Sequence, residues 1–169
     1  MMTQKLSKEE YYMNIAREVS RKSTCFRRTI GAIIIRDDQI ISTGYAGAPR
    51  KTKDSLEHGY CLRDKLKIPH GQRYELCRSV HAEQNAIINA ARAGVSLLGG
   101  DMYLYASKPG IDGPLDAFPC FICKKMLINA GLKRVICSTE EGKISIFHVT
   151  DWIEEWQMND IIDDQKQYG

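Results

Sequence analysis

No run of apolar residues in this chain approaches the roughly 20 that a helix needs to cross a bilayer, so the sequence predicts no membrane as a partner. Cysteine is too scarce to act as scaffolding, with six in 169 residues. No signal-like segment precedes the first expected helix, and reduced thiols in a cytoplasm are the economical reading. Charge of one sign is also lacking. The formal charge is +3 and the basic residues are scattered, which argues against long nucleic acid as a partner and leaves a small anionic substrate compatible. Repeats and low-complexity tracts are absent. A chain of this length buries a substantial core without disulfides, so residues 1–169 are expected to form a single domain.

What is present is sharper. His81-Ala82-Glu83 is answered downstream by Pro119-Cys120-Phe121-Ile122-Cys123, and together they make the H-x-E…P-C-x-x-C pattern of zinc nucleobase deaminases. A lone C-x-x-C would fit a redox pair, half of a zinc ribbon or two buried thiols equally well. The conjunction selects among these. One imidazole and two thiolates, from His81, Cys120 and Cys123, suit tetrahedral zinc and leave its fourth position to water, as a catalytic site requires. Glu83, outside the ligand set, is free to move protons. Zinc can bring the pKa of a bound water down to about 7. Glu83 is then expected to take that water's proton, protonate N3 of a cytosine attacked at C4, and deliver a proton to the departing amine. The competing reading of Glu83 is a solvated first-turn carboxylate favoured by the helix dipole.

The capping box Ser7-Lys8-Glu9-Glu10, with Leu6 and Tyr11 as a hydrophobic staple, predicts a helix from Lys8 to Arg21. Its Tyr12, Ile15, Ala16 and Val19 form a core-facing stripe. Ala32 to Ile35 and Ile40 to Ile41 flank Arg36-Asp37-Asp38-Gln39, which predicts a hairpin of well-buried strands turning at Asp37-Asp38, followed by a loop marked by Gly44 and Gly47. From Pro49 to Ser79 no period holds, and so long an irregular stretch is functional or internally braced.

A helix from His81 to Ala93 ends at Gly94, a strand follows from Met102 to Ala106, and Ser107 to Phe118 is a Gly/Pro-rich loop. Next comes a helix from Cys120 to Ala130, with Cys120, Cys123, Met126, Leu127 and Ala130 on one face and Gly131 ending it, and then a strand from Arg134 to Cys137. Strand, helix, strand implies a right-handed crossover and parallel pairing. The expected fold is therefore α/β, a three-layer α/β/α sandwich with a mixed central sheet. A last strand alternates through Ile144, Ile146 and His148. Trp152, Ile153 and Trp156 then share a helical face that reads either as a core lid or as an oligomer contact, and Asp163-Asp164 belongs to a polar tail.

Cys120 and Cys123, at i and i+3, leave the first turn of their helix in the same direction, and the helix start favours thiolate. His81 and Glu83, two apart, cannot share a face of a regular helix and must use the splayed geometry of a helix N-terminus. Both helix starts are expected to converge on one zinc.

These residues resemble the deoxycytidylate deaminase family of the cytidine-deaminase-like fold. The likeness runs through Ser23-Thr24-Cys25, Gly31-Ala32, Gly44-Tyr45, Ala48-Pro49, Cys61-Leu62-Arg63, Glu75-Leu76-Cys77-Arg78, His81-Ala82-Glu83-Gln84-Asn85-Ala86-Ile87 and Asn129-Ala130-Gly131. It implies deamination of dCMP to dUMP, a catalytic zinc, a homo-oligomer between dimer and hexamer, and dCTP and dTTP as effectors. Two departures stand out. Gly44-Tyr45-Ala46-Gly47 replaces the family's usual Gly-Tyr-Asn-Gly, and a site without that Asn loses a partner for the sugar. The loop from Ser107 to Phe118 is longer than in the simplest members.

Arg27 and Arg28, with Arg50 and Lys51, are candidates for a 5′-phosphate, since the guanidinium fork matches phosphate oxygens; a solvated surface is the plain alternative for each. Tyr45 and Phe121 are candidates to pack on the base, with core packing as their alternative, and Ala46 and Ala82 are the neighbouring substrate positions. Cys25, Cys61 and Cys77 fall where some members carry a second, structural zinc, with His58 or His70 as a fourth ligand. Ser55 stands near where a further Cys would sit, and buried free thiols are the alternative. The rival functions are deamination of another base or nucleotide (tRNA adenosine, guanine, cytidine) and a non-catalytic zinc-stabilised protein in a nucleotide-linked or competence-related complex. The presence of Glu83 speaks against the last, because a structural site has no use for a proton shuttle.

Overall fold

The computed structural model describes residues 5–159. Five strands form one sheet in the order β2-β1-β3-β4-β5: β1 Thr29–Arg36, β2 Gln39–Tyr45, β3 Asp101–Ser107, β4 Arg134–Ser138 and β5 Ile144–His148. Only β3 and β4 run parallel. The mixed sheet follows from the connections, because a tight hairpin forces β1 and β2 antiparallel while a crossover helix lets β3 and β4 run together.

Helix α1 (Lys8–Ser20) covers one face of the sheet; α4 (Ala82–Ala93), α5 (Phe121–Asn129) and α6 (Val149–Met158) cover the other. Two short helices, α2 (Ser55–His58) and α3 (Leu62–Lys65), lie in the irregular segment. Alternation along the strands divides the core. Ile33, Ile35, Tyr103, Tyr105 and Ile136 meet Tyr12 and Ala16 of α1. Ala32, Ile34, Met102, Leu104, Val135 and Cys137 meet Ala86, Leu127 and Trp152 on the opposite face. This is the expected three-layer α/β/α sandwich.

The N-terminal cap is as the sequence predicts, with Ser7 Oγ accepting from Glu10 N and the Glu10 carboxylate accepting from Ser7 N. Leu6 and Tyr11 both remain half exposed. Asp37 and Asp38 turn the hairpin at φ of 52° and 62°, the positive pair a two-residue turn requires.

Three expectations need correction. β2 is an edge strand rather than a well-buried one, and Ile40 is exposed. Gly44 lies inside β2, where a Cβ would fall 2.3 Å from Ala82 O and Ala86 N. Glycine is there to admit α4, as Gly31 on β1 admits α1, its Cβ position falling 2.3 Å from Ser20 N on the other face. Finally, the apolar face of Trp152, Ile153 and Trp156 is split: Trp152 is buried, as the core-lid reading expects, Trp156 is half-buried and Ile153 is exposed. Asp163 and Asp164 lie outside the described residues. Among the described residues no helix is long and apolar enough to cross a membrane.

Candidate metal centre and active site

His81 is the N-cap of α4 and Cys120 the N-cap of α5, both with extended backbone, so each side chain leaves its helix at the mouth. The Gln84 carboxamide accepts the His81 backbone N–H at 3.1 Å, which holds the first turn without using the imidazole. Gly44 brings α4 down onto β2. Three side-chain bonds fix it there: Ser42 Oγ donates to Ala86 O at 2.6 Å, Asn85 Nδ2 to Tyr45 O at 2.8 Å, and Asn89 Nδ2 to Thr43 O at 2.7 Å. Just ahead of His81, Val80 and Gly47 exchange backbone bonds of 2.8 and 3.2 Å.

The result places His81 Nδ1 at 3.5 Å from Cys120 Sγ and 3.4 Å from Cys123 Sγ. Tetrahedral zinc with ordinary Zn–N and Zn–S bonds sets that edge at about 3.6 Å, so this donor set fits the metal the sequence implies. Among the described residues, these three form the one cluster of at least three metal-binding side chains whose ligand atoms lie within 4.8 Å of one another.

The protonation states match a metal-ready site. A hydrogen bond from the Cys123 thiol, aided by His81, lowers Cys120 to about 4. Cys123 is raised in return, through its bond to Cys120 and through burial. Burial works against the His81 imidazolium, but the bond to Cys120 and the charge of Glu83 leave its pKa raised. The positive ends of two helices meet here and favour thiolate.

Glu83, at the second position of α4, is 4% exposed. It is therefore not the solvated carboxylate of the competing reading. Burial raises its pKa, His81 opposes that shift, and its carboxylate shares a hydrogen bond with the Cys123 thiol. A carboxyl held partly toward the protonated form, beside three metal ligands, is equipped to accept and return a proton.

Sequence reasoning missed the wall of this site. Tyr74 meets the His81 ring edge-on, with centroids 5.0 Å apart and planes at 85°. The Arg63 guanidinium lies 4.8 Å from the Tyr74 ring centre; Arg63 is buried, and its Nη2 donates to Pro69 O at 3.2 Å. The aperiodic stretch from Pro49 to Ser79 is thus braced and brings Tyr74 against the His81 imidazole. Lys124 was also missed. It is buried on α5, with Nζ 5.2 Å from the Phe121 ring and 5.3 Å from the Trp152 ring.

The other candidates divide. Arg28 is exposed, donates to Asp116 O at 3.1 Å, and lies close enough for its charge to be felt at Tyr74. Arg27 is turned aside, held by Asp64 at 2.6 Å and by Ile68 O at 2.8 Å. Arg50 is bonded to the Asn89 carboxamide. Tyr45 is half-buried. Ala46 is buried, with its N–H given to Ile30 O and its carbonyl accepting from Thr24 N and Ser23 Oγ. Ala82 is fully buried, its carbonyl against Gly44. Cys25 accepts backbone N–H groups from Arg27 and Arg28 and feels the Cys61 and Cys77 thiols. Among the described residues, however, Cys25, Cys61, Cys77 and His58 do not close to metal-ligand spacing.

An α/β/α sandwich with a His-Cys-Cys centre and a buried glutamate at two converging helix starts defines a zinc-site protein of the nucleobase deaminase class. The chain belongs to the family described as the cytidine and deoxycytidylate deaminase zinc-binding region, whose profile matches residues 6–139. It is 31% identical over 131 residues to deoxycytidylate deaminase of Schizosaccharomyces pombe, a match covering 78% of this chain and 37% of that relative's length. The crystal structure of dCMP deaminase from cyanophage S-TIM5 in complex with dCMP and dUMP superposes with a TM-score of 0.57 at 27% identity, covering 79% of this chain and 82% of that one. Cytidine deaminase from Burkholderia pseudomallei shares the fold, with a TM-score of 0.56 at 17% identity over 86% of this chain and 95% of that one.

Proposed function

We propose that this chain is a zinc-dependent hydrolase that deaminates a cytosine nucleotide, converting dCMP to dUMP and ammonia. The observation that carries the reading is the buried Glu83 within hydrogen-bonding reach of Cys123, in a site whose His81, Cys120 and Cys123 match the edges of a zinc tetrahedron. Bound there, zinc supplies the polarisation that makes water a competent nucleophile at neutral pH. Glu83 accepts one proton as the water oxygen bonds to C4 and passes it to N3 of the cytosine, then takes the second proton from the new C4 hydroxyl and gives it to the amine as the C4–N bond breaks, releasing ammonia. Tyr74 and His81 wall the base, and Arg28, the basic candidate left accessible near the pocket, takes the 5′-phosphate. With Ala46 in place of Asn and its backbone groups already bonded, recognition of the sugar falls to other groups.

The same reading makes residues 1–169 one domain, acting as a homo-oligomer on the cytoplasmic nucleotide pool, with dCTP and dTTP as effectors. The test is ammonia release by zinc-loaded protein from dCMP, CMP, deoxycytidine and dCTP side by side. Preference for dCMP supports the assignment. Equal turnover of deoxycytidine removes the phosphate from the argument, and turnover of none of the four overturns the activity.

A further inference from the structure

A histidine that binds a metal through one ring nitrogen is ordinarily oriented through the other, whose N–H goes to a carboxylate, a backbone carbonyl or water. His81 lacks a protein partner of that kind. Its imidazole meets the two cysteines through Nδ1, and among the described residues no carboxylate or carbonyl takes Nε2. The Gln84 bond is to the His81 backbone and does not set the ring.

Packing takes the place of that bond. Tyr74 stands at 85° to the imidazole with centroids 5.0 Å apart, the perpendicular arrangement that ring pairs favour. Its own position is fixed by the backbone. Tyr74 opens a one-turn 3-10 helix, Tyr74–Leu76, entered through Arg73 at φ 52° and closed by Cys77 N on Tyr74 O at 2.9 Å.

Arg63 in turn holds Tyr74. Its guanidinium carbon lies 4.8 Å from the centre of the Tyr74 ring, the residue is 4% exposed, and Nε is buried without a hydrogen-bond partner among the described residues. The carboxylates near it in sequence, Asp64 and Glu75, pair with Arg27 and Arg73 instead. A buried cation without a counter-ion is costly, and the face of Tyr74 is the contact that offsets the cost. A planar guanidinium can stack on a ring and still donate within its own plane, as Arg63 Nη2 does to Pro69 O at 3.2 Å. Arg27 takes the preceding carbonyl, Ile68 O, at 2.8 Å, so two arginines grip consecutive peptide groups and anchor the stack.

We infer that Tyr74 and Arg63 are positioning residues of the metal centre: Tyr74 holds the His81 ring in the rotation that turns Nδ1 toward Cys120 and Cys123, and Arg63, anchored at Pro69, holds Tyr74 in place. The irregular stretch before α4 then belongs to the metal site without supplying a ligand. The inference rests on the reading of His81, Cys120 and Cys123 as a zinc centre and is independent of which nucleotide is deaminated.

The experiment measures zinc affinity of the full chain by competition with a chelator, and the visible absorption of the cobalt-substituted protein, which reports ligand geometry. Wild type is compared with Tyr74→Phe, Tyr74→Leu, Arg63→Lys, Arg63→Met and a surface control, Lys143→Glu, with denaturant unfolding to establish that each is folded. Tyr74→Leu should weaken zinc binding about 10- to 100-fold and alter the cobalt bands, while Tyr74→Phe, which keeps the ring, stays within about twofold of wild type. Arg63→Met should weaken it about tenfold, and Arg63→Lys, which keeps the charge and loses the fork, should recover part of that loss. The Arg63 pair carries the test should Tyr74→Leu not fold. A folded Tyr74→Leu with wild-type affinity and cobalt bands overturns the proposal, as does a loss in Tyr74→Phe equal to that in Tyr74→Leu, or wild-type affinity in Arg63→Met. A wild type that binds no zinc overturns the centre and this proposal together. Absence of turnover with the zinc results intact overturns the proposed activity alone.

Discussion

The two faces of the sheet use the same device to opposite ends. On each, a strand glycine lets a helix backbone come within van der Waals contact: Gly44 for α4, Gly31 for α1. On the α4 face the approaching part is a helix start, held by Ser42, Asn85 and Asn89, and it presents His81 and Glu83 to the cysteines of α5. On the α1 face it is a helix end, which presents Arg17 to residues 108–112 of the loop after β3, a stretch held by the Arg17–Asp112 pair and one internal turn. A positive helix start suits thiolates and a carboxylate. The far end of α1 has side-chain cations instead of free N–H groups. One face is bonded into a single geometry around the candidate metal ligands, and the other leaves residues 108–112 with few ties to the sheet.

The largest expected effect breaks the comparison at the chemistry itself. Glu83→Gln should lower turnover by about 10²- to 10⁴-fold, the usual worth of a positioned acid-base group, while zinc content by metal analysis stays at the wild-type level. Retained activity would return Glu83 to a packing role. Because Cys123 is held protonated in the metal-free protein, zinc binding should also expel its proton. A titration in weakly buffered solution should show acidification, and none would mean that the thiol is already ionised.

The next comparison sets the two glycines against each other. Gly44→Ala and Gly31→Ala each force a Cβ onto backbone atoms at 2.3 Å, and each should cost about 1–3 kcal/mol in denaturant unfolding. Their functional consequences should differ. Gly44→Ala displaces the helix that carries His81 and Glu83, so kcat falls in the folded protein; Gly31→Ala displaces α1 on the other face, so stability falls while kcat holds. Equal losses of kcat would show that the two faces are mechanically one.

These glycines also mark where the sequence could be read and where it could not. The metal ligands were legible because short spacings within single helix starts, Cys120 to Cys123 and His81 to Glu83, carry the chemistry directly. So were α1 and the Asp37-Asp38 hairpin, whose signals are local. Gly44 was misread because glycine usually punctuates a chain, and its role here depends on a helix 40 residues later. The edge position of β2 depends on sheet order, which no local pattern contains. Tyr74 reaches His81, with Arg63 stacked on the Tyr74 ring, from a stretch without period, and buried Lys124 lies against two aromatic rings that come from different helices, α5 and α6. Arg27 looked like a phosphate ligand until Asp64 claimed it.

A smaller effect tests the stitching on the α4 face. Asn85→Ala removes the donor to Tyr45 O and should cost about 1 kcal/mol, the worth of one partly buried hydrogen bond. Since Ser42 and Asn89 remain, kcat should fall only modestly in an ammonia-release assay. A collapse to the level of Glu83→Gln would mean that Asn85 alone sets the helix.

The smallest effect lies on the other face. Arg17→Ala breaks an ion pair whose partners are 43% and 83% exposed, so global stability should change by less than about 1 kcal/mol and turnover should not change. The local consequence should be larger than the global one. Hydrogen exchange at residues 108–112 should rise, because their main tie is gone, while residues 115–117 keep their protection through the bonds to Ala106 and Ser138. That boundary inside one loop separates a tip with few ties to the sheet from the stretch that leads into Cys120. If protection fell evenly from 108 through 117, the loop would move as one body, and motion of its tip would reach the residues that lead into Cys120.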